Sequence, residues 1–225
     1  MTTTSDPTAD QRVFRPAVID LGDALLRPWG RALDIPGGVV PALVAASADP
    51  EIARWNPLDS AGPAAAEAYL DRCDARWADG TMAAFAVTDA PSGALLGNAF
   101  LRWTNQADGI AMVGYWLLTA ARGRGLATRA ATAVTRWAVE TAGARRIELF
   151  HAVGNDRSCR VAERAGFPYE GTLRASWRFE GRDYQDEHLH ARLASDPFPE
   201  PVRSGPLDPH VTGGPSVPCH EDHRS

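Results

Sequence analysis

The tightest constraint in this chain is a strand that runs straight into a glycine-rich turn and then a long helix. Residues 110–118 read IAMVGYWLL, an apolar run of strand length. The turn is Thr119-Ala-Ala-Arg-Gly-Arg-Gly-Leu-Ala-Thr128. A helix is expected over about Gly125–Thr141. There Leu126, Ala130, Val134 and Ala138 recur at four-residue steps, and Ala127, Ala131 and Trp137 widen the same face. Gly123 and Gly125 allow backbone angles that a Cβ resists and let a ligand approach the main chain. The first N–H groups of a helix lack partners, and together with the helix dipole they favour a phosphate or pyrophosphate. Arg122 and Arg124 can add charge-assisted hydrogen bonds, and Thr128 a hydroxyl. The plainer alternative is a glycine turn with solvated arginines. The segment is not a Walker loop, because no Gly-Lys-Ser/Thr follows. It fits a dinucleotide fingerprint poorly, since Thr128 stands where a third Gly or Ala belongs.

Around this unit the pattern is mixed α/β. Leu25–Trp29, Met82–Thr88, Leu95–Trp103 and Arg146–Ala152 read as strands, with turn residues Asp89–Gly93 between the second and third. Gly37–Ala48, Gly62–Ala78 and Asp156–Ala165 read as helices, Pro63 fitting a first turn. Glu170–Phe179 and Tyr184–Leu193 form a closing hairpin with Gly181 in its turn. Several strands precede the long helix, so a doubly wound sheet is excluded in favour of a mixed sheet with antiparallel neighbours and one helical crossover. A ligand belongs at that crossover.

The net charge is −5, which argues against non-specific nucleic-acid binding. No apolar run reaches the ~18 residues of a membrane span. Met1–Gln11 is polar, without a signal-peptide core. Cys73, Cys159 and Cys219 do not make a disulfide framework, which fits a reducing compartment. Cytoplasmic residence is the expectation. Residues 1–12 read as a flexible leader and 13–194 as the domain. Residues 195–225 hold seven prolines and three glycines and read as a tail without a core. Its His210, Cys219, His220 and His223 match no usual zinc spacing, so no metal is expected.

Several motifs now line up in order. Arg122, Gly125 and Ala127 carry an Arg/Gln-x-x-Gly-x-Gly/Ala pattern. Gly114-Tyr-Trp-Leu-Leu118 precedes it. Arg146-Ile-Glu-Leu149, Asn155-x-x-Ser158, Val161-Ala-Glu163, Gly166-Phe167 and Glu170-Gly171 follow. Over roughly residues 13–194 the chain resembles the GCN5-related N-acetyltransferase superfamily, in particular its RimJ/RimL branch, which acetylates ribosomal-protein N-termini. The resemblance implies an α/β (α+β) fold whose mostly antiparallel sheet is splayed between its fourth and fifth strands, here Ile110–Leu118 and Arg146–Ala152, and flanked by helices. It implies acetyl-CoA as co-substrate, its pantetheine arm on the backbone of Leu117 and Thr119 and its pyrophosphate on Arg122, Gly123, Arg124, Gly125, Leu126, Ala127 and Thr128. The partner is an amine acceptor, a protein N-terminus or a small molecule, with no nucleic acid or membrane, and the enzyme a monomer or homodimer.

The resemblance also implies direct amine attack in a ternary complex. A non-catalytic acyl-CoA-binding module is the alternative of another class. Asn155 either caps the next helix or contacts pantetheine. Many relatives carry a tyrosine that assists the departing thiolate; here that position is Ala162. Ser158 is the candidate thiolate partner. A base is harder to place, because Met112 stands where some relatives have a glutamate. Glu148 and Tyr184 are the catalytic candidates beside Ser158, with Glu170, Asp108 and Asp186 also in view. Trp55 is a candidate cap over the amine pocket. His151 is either structural or a proton relay.

Overall fold

The computed structural model describes residues 12–178 and 183–199. Strands β1 (Ile19–Asp20) and β2 (Ala24–Pro28) lead into helices α1 (Val39–Ser47), α2 (Pro50–Trp55) and α3 (Pro63–Asp79). Strands β3 (Met82–Asp89), β4 (Leu95–Asn105) and β5 (Ile110–Leu117) follow, then helix α4 (Leu126–Ala142), β6 (Arg146–Ala152), α5 (Asp156–Arg164), β7 (Tyr169–Arg178) and β8 (Tyr184–Leu193). All eight strands form one sheet, ordered β1-β2-β3-β4-β5-β6-β8-β7. Among the described residues only β5 and β6 pair in parallel, with α4 as the crossover. This is the expected mostly antiparallel mixed sheet flanked by helices.

Alternation along β3 explains the layers. Ala83, Phe85 and Val87 join one core with Leu126, Ala130 and Val134 of α4. Ala84 and Ala86 join a second core with Leu43, Ile52 and Leu70. Successive side chains of a strand face opposite ways, so a strand covered on both sides is buried along its length. Trp137 packs against Phe14, Trp77 and Phe85, and Trp116 lies in the second core.

Helix α2 falls where the sequence reads as a loop. Its six residues are too few for periodicity to register. The cap gives it away: Asp49 accepts from the amides of Glu51 and Ile52, and Pro50 opens the helix. The turn after β5 begins with a 3-10 turn at Thr119–Ala121. At the other end, Phe198 lies under the guanidinium of Arg192, 3.9 Å away. Residues 1–11, the hairpin turn at Gly181 and the tail histidines and Cys219 lie outside the described residues.

The feature that positions the site is a fork. β5 and β6 pair from Ile110↔Arg146 to Val113↔Leu149 and no further. Yet β5 continues to Leu117 against β4, and β6 continues to Ala152 against β8. Among the described residues no strand pairs with Gly114–Leu117 on that side. Gly114 stands at the fork because the Phe100 ring of β4 occupies the space a Cβ would need.

Candidate active site

Two clefts open from the fork. One, of about 640 Å³, is lined by the turn and first residues of α4, including Arg122, Gly123, Gly125, Leu126, Ala127 and Thr128. The other, of about 610 Å³, is walled by Phe100, Met112, His151, Trp177 and Glu187. They share Trp55, Asn56, Tyr115, Asn155 and Ser158.

The turn is shaped by backbone. Gly125 is the N-cap of α4, with φ 69°, and no side chain caps the helix. The amides of its first turn therefore lack the usual capping acceptor and suit an anion. Leu117 and Thr119 line this cleft as well. Arg122 is held in place rather than pointing freely. Its Nε donates to the Leu117 carbonyl at 2.9 Å, and its guanidinium pairs with Asp49 at 2.9 Å. The Thr119 hydroxyl donates to the same carboxylate. Burial works to raise the Asp49 carboxyl, but hydrogen bonds from Arg122 and Thr119 outweigh it and hold its pKa at about 2. Asp49 thus links the turn to the cap of α2. Arg124, expected at the pyrophosphate, is not in the cleft lining.

At the junction of the clefts the Tyr115 hydroxyl lies 2.8 Å from Ser158 Oγ. Desolvation pushes the Tyr115 phenol well above its ordinary pKa, against the Ser158 hydrogen bond. It is a neutral donor and acceptor there. Asn155 Oδ1 accepts from the Ser158 amide and so caps α5, while Asn155 also lines both clefts. Asn56 Nδ2 donates to the Tyr115 carbonyl on the unpaired edge of β5. Ala162 is fully buried, as its small side chain requires. A phenol therefore does reach the serine, but from β5 and not from α5. Sequence reasoning gave Tyr115 a place in the Gly114–Leu118 motif and no side-chain role; the signal available was its place one residue beyond the fork glycine.

The proposed acids separate sharply. Glu148 is paired with Arg146, which also grips Glu170, and neither carboxylate lines either of these two clefts. The register puts Glu148 opposite Met112, in the closed part of the fork. Tyr184 is 61% exposed beside Arg178 and lines neither cleft. Asp108 bonds Asn105, and Asp186 accepts from the Ala175 amide. The carboxylate that does line the second cleft is Glu187. Burial raises its pKa, partly offset by a hydrogen bond from Ser176. It was missed because only the β6–β8 register, Ala152↔Glu187, brings it beside the fork. His151 also borders this cleft; desolvation lowers it to a pKa of about 4, so the ring is neutral.

The family model described as "Acetyltransferase (GNAT) domain" matches residues 24–168, which span the fork, the turn and Ser158. The chain belongs to the GNAT acetyltransferase family. The Bacillus subtilis protein YdaF, named as a candidate ribosomal N-acetyltransferase, is 35% identical over 82 residues, 36% of this chain and 45% of YdaF. That match spans less than half of YdaF. Two solved structures show the same GNAT fold. The ribosomal-protein-S5-alanine acetyltransferase of Vibrio fischeri aligns with TM-score 0.69 at 19% identity, covering 80% of this chain and 98% of that one. RimL, the ribosomal L7/L12 α-N-protein acetyltransferase, in complex with coenzyme A, aligns with TM-score 0.68 at 20% identity, covering 79% and 98%. Among the described residues of this GNAT domain no helix is long and apolar enough to cross a membrane.

Proposed function

We propose that this domain transfers an acetyl group from acetyl-CoA to the N-terminal amine of a protein or peptide. The observation that carries the reading is the meeting of two clefts at the Tyr115–Ser158 pair in a forked sheet. The α4 cleft fits the co-substrate: uncapped helix amides suit a diphosphate, and the unpaired edge at Tyr115–Leu117 suits an amide-bearing arm. The acceptor class rests on the names of YdaF, RimL and the Vibrio fischeri enzyme.

The chemistry needs little from the protein beyond placement, one proton transfer and one hydrogen bond. Acetyl-CoA, when bound, supplies a thioester whose leaving group is a thiolate, a far weaker base than an alkoxide; a cysteine thiol, for comparison, titrates near ~8.5. Glu187 takes a proton from the incoming amine, directly or through a water. An α-amino group needs only modest help, with a pKa of about 7.7–8.0 against ~10.4 for lysine. As the C–N bond forms and the C–S bond breaks, the Ser158 hydroxyl hydrogen-bonds the departing thiolate, which takes its proton from solvent on release. The Tyr115 hydroxyl, 2.8 Å away, donates to Ser158 Oγ and turns the serine hydrogen toward the sulfur. Holding amine and thioester in one complex supplies much of the rate. Trp55, Asn56 and Trp177 bound the acceptor side.

The test is an acceptor panel of peptides, free amino acids and aminoglycosides with acetyl-CoA, read by mass spectrometry. Acetylation at peptide N-termini is expected. Turnover confined to small amines would overturn the acceptor class, and tight CoA binding without turnover would leave a binding module.

A further inference from the structure

A second cluster lies beneath the acceptor cleft, and the proposed reaction does not use it. His151 of β6, His188 and His190 of β8 and Cys159 of α5 are all buried, and their ligating atoms lie within 4.8 Å of one another. The register makes this possible: His151 stands opposite His188 across the β6–β8 ladder, and His190 shares a face with His188 two residues on.

The hydrogen bonding of the cluster does not balance with neutral rings. His151 Nδ1 is 3.0 Å from the Ala152 carbonyl oxygen, and His190 Nδ1 is 3.1 Å from the Phe167 carbonyl oxygen. The two Nε2 atoms face each other at 3.2 Å. A carbonyl oxygen only accepts, and so does a bare ring nitrogen, so each of these contacts needs a hydrogen between its atoms. Two neutral imidazoles bring one hydrogen each, which is one short. A positive centre between the Nε2 atoms would balance all three contacts. A proton there would make a buried imidazolium, which desolvation disfavours. A metal ion fits better. Tetrahedral ligation at about 2.0–2.1 Å sets two nitrogens about 3.4 Å apart, and nitrogen and sulfur about 3.6 Å apart. The distances here are 3.2 Å between nitrogens and 4.0 Å from His190 Nε2 to Cys159 Sγ. The two carbonyls supply the outer contacts that fix the tautomer of a metal-bound histidine.

We propose that His151, His188 and His190 bind one zinc-class divalent ion, with the Cys159 sulfur as fourth ligand once it is a thiolate. Cys159 is disulfide-bonded in this structure. A phosphine frees it by giving two electrons and taking up the oxygen of a water, and the thiol then loses its proton to solvent on binding. The ion is structural: four protein ligands leave no open position. It ties α5 to β6 and β8 one residue beyond Ser158.

The experiment uses the full chain, phosphine-reduced and metal-depleted, titrated with cobalt(II) and followed by visible absorption. One equivalent is expected, with tetrahedral bands and a thiolate charge-transfer band, and zinc displaces it. Cys159→Ser should remove only the charge-transfer band. His151→Asn and His190→Asn should each weaken binding more than about 100-fold, beyond the cost of losing an outer-shell partner. His210→Ala with His220→Ala and His223→Ala should leave it unchanged. No uptake by the wild type, uptake that survives both core substitutions, or uptake lost with the tail histidines would each overturn the site. Should the core variants unfold, X-ray absorption of the wild-type complex decides: three nitrogens and one sulfur support the site, and any other set overturns it.

Discussion

On the α4 side of the fork the wall is main chain. It is made by Gly123, Gly125 and the opening amides of a helix that no side chain caps. On the β8 side the wall is side chains: Phe100, Met112, Trp177 and Glu187, carried by strands distant in sequence. A backbone site needs only a strand, two glycines and a helix in succession, so a short motif encodes it. A side-chain site depends on register between strands, so no short motif does. The first side suits a ligand part that never changes, and the second can vary with the acceptor.

The side-chain wall offers the sharpest break. Glu187→Gln should lower kcat by about 10²–10⁴-fold, the range of a lost general base, with CoA affinity intact. The pH profile adds a readout that a structural role would not give. Glu187 has a raised pKa and works deprotonated, so the wild-type rate climbs with pH through a midpoint above the ordinary 4.5. That limb should vanish in Glu187→Gln, leaving the limb of the amine. A limb that persists unchanged would move the base elsewhere.

Next comes the junction, where the two walls touch. Ser158→Ala should cost about 10–10²-fold in kcat while the KM for acetyl-CoA stays within about twofold, since the hydrogen bond is made to charge that develops in the transition state. Tyr115→Phe should act in the same direction and add little to Ser158→Ala, because the two hydroxyls serve one contact. Additive losses would mean separate roles.

The backbone wall is tested by Gly125→Val. At φ 69° a β-branched residue is strained and its Cβ blocks the close approach of a ligand to the main chain, so the CoA complex should weaken by roughly 10-fold or more by calorimetry, with acceptor selectivity unchanged. Unaltered affinity would remove the diphosphate from this turn.

The same contrast accounts for what the sequence made legible. The sheet class, the long helix and the turn were readable because each rests on local pattern: four-residue steps in α4, period-two alternation in β3, glycines at positive φ. Helix α2 was missed because it is short, although its Asp-Pro cap was visible. Glu148 and Tyr184 were drawn to the site by their place on the right strands, but Glu148 sits in the closed part of the fork with Arg146 and Tyr184 on the exposed hairpin. Glu187, His188 and His190 stayed hidden because a one-residue shift of β8 would turn each of them to the other face.

The smallest effect expected is the most discriminating for the backbone wall. Arg122 and Arg124 look equivalent in the motif, but the fold uses them differently. Arg122 braces the turn through the Leu117 carbonyl and Asp49, whereas Arg124 lies outside the cleft lining, and its charge helps to lower the pKa of Asp23 and Asp89. Its long-range attraction for a diphosphate is screened within about 8 Å at physiological salt. Arg124→Ala should therefore change CoA affinity by less than about twofold at that ionic strength and by more in dilute buffer. A large, salt-insensitive loss would put the arginine in direct contact with the ligand and make side chains, not amides, the principal grip on this side of the fork.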